Sequence, residues 1–131
     1  MEPYSPKKRP FILARIKSFE FAIKGILWLF RSQGNAQVHL LALIGIIGMG
    51  LWVNLASWEW CCILLCMGMV LVAEAINTAI EHVTDLASPE YHQLAGRAKD
   101  VAAGAVLLAV LFCGGVWGII FLPKLWGMWW A

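Results

Sequence analysis

Charge is what this sequence has least of. Asp, Glu, Lys and Arg make up 14% of its 131 residues, against roughly 25% in an ordinary soluble domain. The net charge of +2 is small, and no basic stripe interleaves with aromatic residues, so nucleic acid is excluded as a partner. No GxxxxGK[ST] run occurs, which excludes the usual glycine-rich phosphate loop. A secretion signal is also missing. Met1 to Arg9 contains Pro3 and Pro6, Pro10 follows, and no apolar core with a small-residue cleavage site comes next. The first long apolar run starts only near Val38, so the first span is expected to be retained. Cys61, Cys62, Cys66 and Cys113 lie inside apolar runs. A zinc site there would lack a fourth ligand and a polar second shell. These cysteines read as small apolar filler.

What is present in excess is apolar surface, at 61% of residues where roughly 45–50% is usual. A chain this short could not hide that much inside a soluble core, and lipid is its natural solvent. Residues 1–10 read as a flexible basic arm near anionic headgroups, and residues 11–131 as one integral membrane domain. Over 11–31, Ile12, Ile16, Phe19, Ile23, Ile26, Leu27 and Phe30 recur at helical spacing beside a stripe of Lys17, Glu20, Lys24 and Arg31. That pattern predicts an amphipathic helix lying in the membrane surface. Three spans follow, over about 38–55, 58–85 and 101–122, with Pro123 just beyond the last. The fold expected is therefore all-α: a surface helix plus three transmembrane helices.

Basic residues orient the chain. Lys7, Lys8, Arg9, Arg15, Lys17, Lys24 and Arg31 precede the first span. The first loop has none, the second has Arg97 and Lys99, and the tail has Lys124. The positive-inside rule puts the N-terminus and second loop in the cytoplasm and the C-terminus outside. Trp52, Trp58, Trp60, Trp126, Trp129 and Trp130 then form an aromatic belt at the outer face. Gly114 and Gly118 form a small-xxx-small pair suited to close helix approach. Three helices enclose little interior, so self-association is expected.

The second span ends in Glu74-Ala-Ile-Asn77-Thr-Ala-Ile-Glu81-His-Val-Thr-Asp85. At about 100° per residue, Asn77, Glu81 and Asp85 fall at roughly 300°, 340° and 20° from Glu74, on one stripe. Unpartnered acids at a membrane edge cost a few kcal/mol each, so a cation should offset them. Oxygen ligands alone suit magnesium, which commonly binds through one or two carboxylates plus phosphates. Glu74 lies roughly 16 Å before Asp85 along the helix axis. The stripe would therefore join a water-side nucleotide to the hydroxyl of a membrane lipid. Glu74, the deeper acid, is placed to take the hydroxyl's proton, and Glu81 to hold metal against phosphates. Lys99 can stabilise charge on a transferring phosphate. His39 reads as a capping or snorkelling residue, and His82 projects off the stripe. A pore would need acids across the whole bilayer, whereas here the outer halves read as apolar. A structural or regulatory membrane protein is the other rival.

The run Glu74 to Asp85, with Ser88-Pro-Glu90-Tyr91-His92 and Gly96-Arg97-Ala98-Lys99-Asp100, resembles the prokaryotic diacylglycerol kinase family, which includes undecaprenol kinases. The resemblance covers nearly the whole chain. It implies a homotrimer in the bacterial inner membrane, with sites near subunit interfaces, magnesium–ATP as co-substrate and a membrane lipid as acceptor. Glu74 matches the catalytic base and Glu81 a metal-binding glutamate beside the nucleotide. Glu90, Tyr91, His92, Lys99 and Asp100 match nucleotide-contacting positions. Asn77 and Asp85 match supporting polar residues, and Lys24-Gly25 matches a pair in the surface helix. One position departs from the pattern: the family usually has a second metal-binding glutamate where this chain has Gln33. An amide oxygen can ligate magnesium but brings no charge, so either affinity falls or Glu20 or another subunit's acid offsets the loss. Val101, Ala102 and Ala103 follow Lys99-Asp100 where some members have serine, which leaves the acceptor open. Asn35 and His39 resemble the undecaprenol-kinase branch.

Overall fold

The structure is a computed structural model that describes residues 10–129. The expected basic arm, apart from Pro10, and Trp130 lie outside the described residues. Four helices follow one another: α1 (Phe11–Ser32), α2 (Gly34–Trp52), α3 (Ser57–Ala87) and α4 (Gln93–Trp129). The last three are long and apolar enough to cross a membrane. The chain is thus an all-α, multi-pass membrane protein.

A single residue joins α1 to α2. Gln33 is extended at φ −106°, ψ 113°, and its N–H still bonds the Leu29 carbonyl at 2.9 Å. Gln37 Nε2 donates to the Phe30 carbonyl at 3.1 Å and to that of Arg31 at 3.4 Å. That side chain satisfies carbonyls which a helix end leaves without partners. Most apolar residues of α1 stay uncovered by protein, and among its described side chains only Leu29 is buried. This is the pattern of a helix that meets lipid rather than a core.

The turn after α2 depends on two residue types. Asn54 has φ 51°, a left-handed conformation that Asn tolerates. The Leu55 N–H reaches back to the Gly50 carbonyl at 3.0 Å, and that of Asn54 to Leu51 at 3.4 Å. This is the Schellman pattern, and it folds Leu55 back over Gly50. A Cβ on Gly50 would meet Leu55 Cδ1 and Trp60 Cη2, each at 2.8 Å. Any side chain at this position would have to displace the ends of Leu55 and Trp60. The other glycines of the apolar runs differ. A Cβ on Gly45, Gly48, Gly104, Gly114 or Gly115 would meet nothing within 4 Å. A Cβ on Gly118 would meet Leu122 Cδ1 of the same helix at 3.7 Å.

The core is the hairpin of α3 and α4. Ile63, Met67 and Val70 pack against Cys113, Ile120 and Phe121, with Leu55 closing one end and Leu43, Ile46 and Met49 of α2 laid alongside. Trp117 stacks on Phe121 with ring centroids 5.4 Å apart. The Cys113 Sγ donates to Met67 Sδ at 3.2 Å. Lipid is as apolar as these side chains, so close packing, not exclusion of water, holds them together.

Both long helices outrun their apolar segments. The α4 helix starts at Gln93, so Gly96 to Asp100 are helical, and the connecting loop is only Ser88 to His92. It also continues through Pro123. Proline deprives the Ile119 carbonyl of its partner and ordinarily ends or kinks a helix. Here the last turns are tied down: Leu125 packs on the core and Lys124 pairs with Glu59 at 3.0 Å. Glu59 is 7% exposed, and its Oε2 also accepts from the Ala56 N–H at 2.6 Å. The tryptophan-rich end of the bundle therefore carries a buried acid, which corrects the expectation of wholly apolar outer halves. Lys124→Ala is expected to lower the thermal midpoint in detergent by about 5 °C. Lys124→Arg should stay close to wild type, and a circular dichroism melt checks both.

Candidate functional site

At the other end, α3 carries the acidic stripe. Met67, Val70, Glu74, Asn77 and Glu81 are spaced four or three residues apart and so share one helix face. The apolar half of this face is the core contact, and the polar half continues it without a break. Glu74 is 2% exposed, and Asn77 and Thr78 are each 4% exposed. Glu74 Oε2, Asn77 Oδ1 and Thr78 Oγ1 have no hydrogen-bond partner among the described residues. Buried polar atoms are paired in the great majority of cases. Glu74, Asn77 and Thr78 are three neighbouring exceptions on α3.

Several groups surround them. Asn77 Nδ2 donates to Glu81 Oε1 at 3.1 Å, which orients both side chains. His39, half-buried on α2, is close enough to act electrostatically on Glu74, as is Glu81. Lys99 of α4 pairs with Asp85, fixing a cation beside the end of the stripe. His92 caps α4, because its Nδ1 accepts from the Leu94 N–H at 3.2 Å and its carbonyl accepts from Gly96 at 3.0 Å. The Glu90 carbonyl accepts from Ser88 Oγ at 2.9 Å. Glu90 and Tyr91 are exposed on the loop, and Asp100 is exposed on α4. Asn77 and Glu81 thus touch directly, as do Asp85 and Lys99. Glu90, Tyr91 and His92 share the short loop joining those two helices.

The donor set suits a hard cation. Its free atoms are carboxylate, amide and hydroxyl oxygens, the ligands that magnesium takes. No group of three or more His, Cys, Asp or Glu converges on a metal position among the described residues. Gln33 sits half-buried at the α1–α2 joint. Glu20 lies roughly 20 Å along α1 from Gln33 and pairs with Lys24 at 2.5 Å. That lysine's hydrogen bond and charge hold the Glu20 carboxyl below its ordinary range.

Three features escape a reading of the residues alone. Thr78 looks like a neutral helix residue until its burial is seen. Glu59 and Lys124 are 65 positions apart, and nothing local pairs them. His39 belongs to a different helix from Glu74, so no spacing rule joins them. His82, off the stripe, meets Trp28 of α1 edge-on with centroids 5.1 Å apart.

Fold and site together define a small multi-pass membrane protein whose acidic helix face lies at one end of its bundle. The family model for prokaryotic diacylglycerol kinase matches residues 20–121. The chain belongs to this family of membrane lipid kinases. It is 41% identical to the undecaprenol kinase of Bacillus subtilis over 109 residues, covering 83% of this chain and 89% of that protein. It is 37% identical to a diacylglycerol kinase of Synechocystis, covering 82% of this chain and 62% of that protein. Identity to the diacylglycerol kinase of Escherichia coli is 32%, covering 80% and 86%.

Proposed function

We propose that this protein transfers the γ-phosphate of ATP to the hydroxyl of a membrane lipid, diacylglycerol or undecaprenol, at the cytoplasmic boundary of a bacterial inner membrane. The observation that carries this reading is the run of buried, unpartnered oxygens on Glu74, Asn77 and Thr78, aligned with Glu81. Glu74 takes the acceptor's proton as the hydroxyl oxygen bonds to the γ-phosphorus. The bond from that phosphorus to the bridging oxygen breaks, and ADP leaves. Magnesium, held by Glu81 with the Asn77 and Gln33 amide oxygens, would neutralise phosphate charge. Asp85 orients Lys99 toward the phosphates, and Glu90, Tyr91, His92 and Asp100 form the nucleotide's rim.

The unfilled faces around Gly45, Gly48, Gly104 and Gly114 support assembly with further copies, read here as a homotrimer. The basic residues support an N-terminus in the cytoplasm and a C-terminus outside. The pore reading loses support from the packed core. Ile63, Val70 and Phe121 are fully buried between the two charged ends and block an aqueous path among the described residues of one chain.

The test is transfer of labelled γ-phosphate by the purified protein in mixed micelles, with diacylglycerol and undecaprenol offered in parallel. Label in either lipid supports the reading and names the acceptor. Bound nucleotide with no label in either favours a regulatory protein on the same scaffold, the reading to which Gln33 lends weight. Gln33→Glu adds a carboxylate beside the metal. It should lower the magnesium concentration for half-maximal rate by about tenfold, and an unchanged magnesium titration would remove Gln33 from the metal site.

A further inference from the structure

Ser32 and Thr84 share a habit that Thr78 does not. Ser32 Oγ donates to the Trp28 carbonyl at 2.8 Å, and Thr84 Oγ1 donates to the Ile80 carbonyl. Each bonds the carbonyl four residues back, a usual outlet for a hydroxyl inside a helix. Thr78 has the Glu74 carbonyl at the same offset and leaves it alone: its Oγ1 has no hydrogen-bond partner among the described residues. The residue is 4% exposed, so bulk water does not replace the missing bond. A buried hydroxyl without a partner costs stability.

The position of Thr78 gives that hydroxyl a use. It follows Glu74 by one turn, about 6 Å along α3, and by about 40° around the axis. Asn77 and Glu81 lie about 60° and 20° to the other side. Glu74 therefore stands between the groups proposed for metal and phosphate and the hydroxyl of Thr78. On the Thr78 side a groove of about 370 Å³ runs between α1 and α3, with Gly25, Leu29, Ala75 and Ala79 on its walls. Thr78 supplies the only side-chain oxygen among the residues that line it.

We propose that Thr78 contacts the substrate: its Oγ1 donates to the oxygen of the acceptor's hydroxyl and, with Glu74, sets the direction from which that oxygen attacks. The inference rests on the lipid-kinase reading and adds a residue to it. An alcohol oxygen has one proton and two lone pairs. The proton passes to Glu74. One lone pair accepts from Thr78, and the other forms the bond to the γ-phosphorus as the bond from that phosphorus to the bridging oxygen of ADP breaks. With two of its three directions fixed, the oxygen has one left for the phosphate. The threonine hydroxyl stays neutral throughout and does not compete for the proton.

Thr78→Val keeps the shape and removes the hydroxyl, and Thr78→Ser keeps the hydroxyl. Both variants and the wild type are to be assayed for γ-phosphate transfer to dioleoylglycerol and to undecaprenol in mixed micelles, beside ATP binding and thermal midpoint. In Thr78→Val, kcat with the lipid that the wild type labels should fall about tenfold, the size of one lost hydrogen bond. ATP affinity should stay unchanged. The thermal midpoint should hold or rise, because an unpaired buried hydroxyl is gone. Thr78→Ser should restore most of the rate. A purely structural hydroxyl gives the opposite pairing, a lower midpoint with an unchanged rate. Wild-type turnover in Thr78→Val, a rate loss that Thr78→Ser shares in full, or a loss confined to ATP affinity would overturn the role and leave the kinase standing. Label in neither lipid with the wild-type protein would overturn the kinase reading, and this role with it.

Discussion

Glu74→Gln is expected to reduce lipid phosphorylation about a thousandfold, a loss within the range for removal of a general base and equivalent to about 4 kcal/mol in the barrier. The substitution keeps the shape of a side chain that is almost wholly buried. It removes only the ability to accept a proton. Fold and assembly should survive, because the side chain keeps its size and Glu74 Oε2 has no hydrogen-bond partner among the described residues. ATP binding should also survive, since the rim proposed for the nucleotide lies on the loop and on α4. Single-turnover transfer beside an unchanged melt and unchanged nucleotide binding would establish the role. Substantial turnover in the variant would remove Glu74 as the base.

The second large effect is expected at Glu81. Glu81→Gln retains an oxygen that can accept from Asn77 Nδ2, so the local bond at 3.1 Å can persist. What goes is one negative charge beside the phosphates. With Gln33 already neutral, the site then has no formal charge at either expected metal-binding position. Transfer should fall about a hundredfold, comparable to the loss of one electrostatic stabiliser, with a steep rise in the magnesium needed and little change in lipid KM. The double variant Gln33→Glu/Glu81→Gln separates charge from position. Partial recovery would mean that the two residues share one ion. A purely additive result would place them at separate sites.

The spans and the stripe were legible in the sequence because both are local. Apolar length reports a membrane crossing, and the spacing of Glu74, Asn77, Glu81 and Asp85 reports a helix face without any knowledge of the neighbours. The family was legible because its distinguishing residues are contiguous from Glu74 to Asp100. Features that join distant segments were not. The Glu59–Lys124 pair, the approach of His39 to Glu74 and the packing of Leu55 and Trp60 over Gly50 each depend on how helices meet. Pro123 misleads for the same reason: its effect is local, while the contacts that carry α4 past it come from α3. Sequence spacing also gave no sign that Thr78 is buried beside the stripe.

The pairing of Glu59 with Lys124 has a consequence for the far end of the same helix. It pins the start of α3 at a definite level. From there the helix runs unbroken to Ala87, and Glu74 follows after about 22 Å. The depth of the proposed base is therefore metered by residue count along a rigid rod, with no loop to take up error. One residue added between Glu59 and Glu74 would move the carboxylate about 1.5 Å further from Glu59 and swing it by about 100°, off the face it shares with Val70. The α3 helix works as a depth gauge, and its graduation is the peptide unit.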